Sequence, residues 1–105
     1  MITPTPAAIK AWLEEVRLHP VIFEKRFYPG TCTKCLVAQY MNHMSDGLWG
    51  VVPQSLFRIR TNAAIPTSRE IHDLIIAFDE IAPDKGMDVE QALTFMKKFM
   101  RGEYR

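Results

Sequence analysis

Cys32 and Cys35 are the two cysteines of the chain, set as a Cys-x-x-Cys pair with Lys34 beside the second in the stretch PGTCTKCLVAQYM. That spacing supports two kinds of chemistry. At a helix start, free amide groups and the helix dipole stabilise a thiolate, and a second thiol one turn on can resolve a mixed disulfide. The same pair can also supply half of a tetrahedral zinc site, with His19, His43 and His72 as the available partners. If the helix that follows is continuous, His43 lies about 12 Å beyond Cys35 along its axis at ~1.5 Å per residue, and zinc bonds of ~2.0–2.3 Å do not easily close that gap. His19 and His72 would need tertiary proximity, or two copies would have to pool their cysteine pairs.

A packing role is the favoured expectation for both thiols, with redox or zinc chemistry at Cys32 and Cys35 as the alternative. Free cysteine is among the most buried residue types. In a helix, Cys32, Cys35 and Leu36 occupy the i, i+3, i+4 positions of one face, continuous with Tyr40 and Met41. The Cys-x-x-Cys spacing resembles the thioredoxin-like redox motif, and Val52-Pro53 ahead of SLFRIR is similar to the apolar residue and proline that precede a strand beside that family's active site. The pattern departs from the family at Thr31, where an aromatic residue is common. The interval from Cys35 to Pro53 is also too short for the rest of a helix, another strand and a further helix.

Other catalytic patterns are missing from the sequence: it has no glycine-rich phosphate loop, no His-Glu-x-x-His and no nucleophile elbow. His72-Asp73 and Glu14-Glu15 are adjacent pairs, and helical neighbours point about 100° apart, so neither pair forms a site alone. The expectation is therefore a non-enzymatic protein with no cofactor. Binding is better served. Near the C-terminus, Leu93, Phe95, Met96, Phe99 and Met100 make a wide apolar arc bordered by Lys97, Lys98 and Arg101, suited to docking on another protein or a second copy of this chain. Nucleic-acid binding through Arg58, Arg60 and the basic tail is the weaker alternative, since a net charge of +1 gives little drive toward a polyanion.

Four helices and a hairpin must position these residues. Thr5-Pro6 supplies a cap and first residue for a helix over 6–18 with Ile9, Trp12, Leu13 and Val16 in register, stopped before Pro20. Residues 21–28 read equally as a strand or a helical turn. A second helix spans 33–45, with Thr31 or Thr33 as its cap and Asp46-Gly47 as its stop. Trp49, Val51 and Val52, the turn Pro53-Gln54-Ser55, and alternating Phe57, Arg58, Ile59 and Arg60 predict an antiparallel hairpin over 48–52 and 56–60. After the polar TNAAIPTS, with Ser68 or Thr67 as its cap, Ile71, Leu74, Ile75, Phe78 and Ile81 define a third helix over 68–82. Asp88 and Gln91 form a capping box for a fourth over 88–101.

The fold class is α+β, mainly helical, in a single globular domain of 105 residues, with helices one, three and four enclosing most of the core. Hydrophobic content of 48% and charged content of 24% argue against disorder. No apolar run suggests a membrane span, and the stretch MITPTPAAIKAW lacks the basic and apolar regions of a secretory signal, so a cytoplasmic address is expected. Residues 70–84 carry Glu70, Asp73, Asp79, Glu80 and Asp84 without a basic residue, against the basic tail, which makes the molecule dipolar. Together these features predict a protein-binding or regulatory module.

Overall fold

Three of the helices begin where a polar side chain satisfies amides that the first turn leaves open. In the computed structural model, which describes residues 4–18, 26–30, 33–44, 49–59 and 63–104, Thr5 is extended and its Oγ1 accepts the Ala8 N–H at 3.1 Å. Pro6 takes the first position of α1 (Pro6–Arg17), where its missing N–H costs nothing. Ser68 accepts from the Ile71 N–H at 3.2 Å to open α3 (Arg69–Ile81). Before α4 (Val89–Met100), the Gln91 N–H donates to Asp88 Oδ1 at 2.8 Å and the Asp88 N–H donates to Gln91 Oε1 at 3.0 Å, completing the box read from sequence.

The second helix, α2 (Leu36–Met44), starts later than the sequence pattern implies. The carbonyl of Lys34 accepts the Tyr28 N–H at 3.0 Å and Gln39 Nε2 at 2.9 Å, so the backbone ahead of Leu36 is committed to a neighbouring segment and does not wind into the helix. Within that segment Phe27 pairs with Met87 through two reciprocal backbone hydrogen bonds of 2.9 Å, which makes it extended at this point. Residues 21–25, where strand and helical turn were equally open, lie outside the described residues.

The sheet has three antiparallel strands in the order β1 (Trp49–Val52), β2 (Ser55–Arg58), β3 (Ala64–Pro66). The expected hairpin is present, with Val52 opposite Ser55. β3 is an addition that periodicity missed: three residues carry no alternation, and Pro66, lacking an N–H, suits an edge position. Thr67 secures it, donating its N–H to Gln54 O at 3.2 Å and its hydroxyl to Pro53 O at 2.7 Å across the turn.

The core corrects one expectation. α2 contributes Leu36, Val37, Ala38, Tyr40 and Met41, as many buried side chains as any other helix, so it encloses the core with α1, α3 and α4. At its centre Trp12 packs edge-on against Phe27 at 5.9 Å and Tyr40 at 5.7 Å. α1 packs mainly on α4, and Arg17 at the end of one reaches Glu90 at the start of the other at 3.7 Å, which sets the pair antiparallel. Among the described residues no helix is long and apolar enough to cross a membrane.

Candidate functional site

Cys35 sits just ahead of Leu36, where the helix start would favour a thiolate, yet burial wins. The side chain is 4% exposed, and loss of solvent lifts its pKa from 9.0 to about 11, with the Asp79 carboxylate adding in the same direction. It lines a cleft of about 200 Å³ with Val52, Pro53 and Asp79. The sequence motif is thus partly assembled in space, but Pro53 turns an antiparallel hairpin. Asp79 is engaged as well, accepting the Gly30 N–H at 3.1 Å. Cys32 lies outside the described residues, as does His19. His43 stands against Trp12 with ring centres 5.7 Å apart, and His72 lies on α3 with Nδ1 3.4 Å from Asp73. Among the described residues no group of three or more His, Cys, Asp or Glu side chains is placed to hold a metal.

The protonated thiol has a measurable consequence. A rise from 9.0 to about 11 leaves roughly a hundredfold less thiolate at neutral pH, and burial adds to the protection, so Cys35 should react with iodoacetamide only as the structure opens. The native state keeps a proton that the unfolded chain gives up above pH 9. This contribution to stability is complete below that pH and is lost as pH climbs toward about 11. Urea midpoints of the native chain and a Cys35→Ala variant should converge across that range; parallel curves would refute the assignment.

The apolar arc of α4 requires a correction. Phe95, Met96 and Phe99 are 2%, 0% and 1% exposed, so these expected docking residues belong to the core. Phe95 packs edge-on to Phe78 at 5.7 Å and stacks on Phe99 at 6.3 Å. Its remaining face is covered by Tyr104, centred 5.3 Å away and tilted 17°. The tail achieves this by reversing at the helix end. Gly102, at φ +80°, donates to Phe99 O at 3.0 Å and Glu103 donates to Lys98 O at 3.1 Å, the Schellman arrangement that ends many helices. Of the expected docking set, Met100, Lys97 and Arg101 remain exposed and Lys98 is half-buried, with Arg101 paired to Glu103 at 2.7 Å.

Tyr104 was missed by sequence reasoning, although Gly102 just past the last apolar position was a signal for a chain reversal. Its ring separates two open grooves. One, of about 350 Å³, is floored by Pro83, Met87 and Phe95 and edged by Glu90; the other, of about 440 Å³, exposes Ile76 between Asp73, Glu80 and Arg69. Of the basic face expected on the hairpin, Arg58 alone falls among the described residues. Arg58 lies over the Trp49 ring at 5.5 Å, a cation–π contact within the fold, and Arg60 is outside the described residues. No family model matches the chain, and no curated protein or solved structure matches it.

Proposed function

We propose that the protein is a protein-binding or regulatory module without catalytic activity, and that its partner docks in the depression that Tyr104 divides. The observation that carries this reading is the Tyr104 ring stacked on Phe95 between two open grooves. The chain's own C-terminal turn fills the middle of the depression with an aromatic side chain, which indicates the chemistry the depression accepts. Around it stand Asp73 and Glu80 beside Arg69, and Glu90, which Arg17 approaches at 3.7 Å. The fitting partner is a segment of another protein that presents an aromatic side chain between basic residues, as this chain does with Tyr104 between Arg101 and Arg105. Buried aromatic anchors supply most of the affinity at such sites, and complementary rim charges set rate and specificity. A buried thiol kept protonated at neutral pH favours the non-catalytic part of the reading.

A labelled peptide with the sequence of residues 99–105, titrated by fluorescence anisotropy, tests this. Binding should saturate with a Tyr104→Ala variant and be weaker by about tenfold in the unaltered chain, whose tail competes from the same molecule. Reversing the rim with Asp73→Lys and Glu80→Lys should weaken it further. Failure of the peptide to bind the Tyr104→Ala variant, or indifference to rim reversal, would overturn the proposal.

A further inference from the structure

We propose that a second site, sharing no lining residue with the Tyr104 depression, binds a phosphorylated small molecule. Arg26, Tyr28, Thr33, Lys34, Asn42 and His43 line an open basin of about 660 Å³ beside α2, a size suited to a nucleotide-scale ligand. Two permanent cations and a histidine meet there, and among the described lining residues there is no carboxylate.

The carbonyls of Arg26 and Lys34 and the Asn42 Oδ1 are consumed within the fold, while the Lys34 ammonium and the Asn42 amide nitrogen make no hydrogen bond among the described residues. Gln39 Nε2 donates to the carbonyls of Arg26 at 2.7 Å and Lys34 at 2.9 Å, tying both cationic residues to α2. Asn42 Oδ1 accepts the Trp49 N–H at 2.7 Å, so its amide nitrogen is the group still available. Arg26 is oriented by donating Nε to Lys85 O at 3.0 Å and Nη2 to Gly86 O at 2.9 Å, bonds to neutral carbonyls, and it makes no ion pair among the described residues. Lys34 is exposed, and its ammonium makes no ion pair among the described residues.

A concave surface with surplus donors and gathered positive charge is complementary to an anion rich in acceptor oxygens, and a phosphoryl group neutralises more than one cation at once. The small overall charge favours a small ligand over a polyanion, which needs many such contacts.

The test is an NMR titration of the full chain, labelled with nitrogen-15, using AMP, phosphoserine and inorganic phosphate. At least one organic phosphate should produce saturable amide shifts centred on residues 33–43, binding more tightly than inorganic phosphate does. Lys34→Glu should weaken this by about tenfold while leaving the melting temperature unchanged, since the side chain is exposed. The proposal is overturned by the absence of saturable shifts with all three probes, by equal binding to Lys34→Glu, or by shifts centred instead on Lys97 and Arg101. Inorganic phosphate binding as tightly as the organic probes, or a single-stranded oligonucleotide binding more tightly than AMP, would also overturn it, the latter in favour of nucleic acid.

Discussion

Trp12→Ala is expected to lower stability by about 3–5 kcal/mol, the usual cost of deleting a large buried aromatic side chain. For a domain of this size, with a total of about 5–15 kcal/mol to lose, that is roughly a fifth or more of the folding free energy. Trp12 is 2% exposed and holds Phe27, Tyr40 and His43 around one indole, so its removal leaves a cavity bordered by α2 and by the segment at Phe27. Trp12→Phe is expected to behave differently. The indole Nε1 is buried without a hydrogen-bond partner among the described residues, a desolvation cost of ~1–3 kcal/mol that phenylalanine does not carry. That relief offsets part of the lost area and should hold the net cost below about 1.5 kcal/mol. Chemical denaturation of the two variants decides the matter: equal losses would mean that Nε1 is satisfied and that the indole is held by more than packing.

Local chemistry was the legible part of this fold. Thr5-Pro6, Ser68 and the Asp88–Gln91 pair act within four residues of themselves, so sequence spacing suffices to place three helix starts. The start of α2 was misplaced because its cause lies elsewhere in the chain: Tyr28 and Gln39 claim the Lys34 carbonyl, and no pattern near Thr33 announces it. β3 was missed for a related reason, since Leu56 opposite Ile65 and Phe57 opposite Ala64 acquire meaning only once β2 exists to be paired.

The docking surface shows how far periodicity reaches. The spacing of Phe95, Met96 and Phe99 established that they share an apolar arc, and the arc is real. What covers it depends on α1, α3 and a tail that reverses at Gly102, none of which helical periodicity within α4 can report. Ile81 falls at the opposite extreme, 46% exposed at a position in the apolar stripe of α3, because it lies in the last turn of its helix, while Met100, 47% exposed, is the apolar member of the expected docking set that stays open. The phosphate basin was invisible to sequence for a third reason: Arg26, Lys34 and His43 lie within the one stretch 26–43, but their spacing follows no motif, and only the fold turns them toward a common basin.

Gly86→Ala is expected to cost about 3 kcal/mol, more than any other glycine substitution in a left-handed position among the described residues. Gly86 has φ +85°, a conformation that costs an L-residue with a side chain ~1–2 kcal/mol. An added Cβ would also lie 2.9 Å from Tyr28 Cδ1 and 3.0 Å from the Phe27 carbonyl oxygen. The carbonyl is the harder neighbour to move, because it already accepts the Met87 N–H at 2.9 Å in the bridge that closes this segment over the core. Relief would stretch that bridge and the Arg26 Nη2 bond to Gly86 O, so the loop before α4 and the basin beside α2 would loosen together. Gly30 and Gly102 provide the controls. Both have positive φ, at +72° and +80°, and neither would place a Cβ within 4 Å of a neighbour, so Gly30→Ala and Gly102→Ala should show the conformational cost alone, about 1 kcal/mol. Urea unfolding of the three variants separates backbone strain from collision. If all three lose the same amount, the close approach of Gly86 to Phe27 carries no energetic weight; if Gly86→Ala stands apart and also shifts the amide resonances of residues 33–43, the bridge at Phe27 and Met87 is what holds the basin in shape.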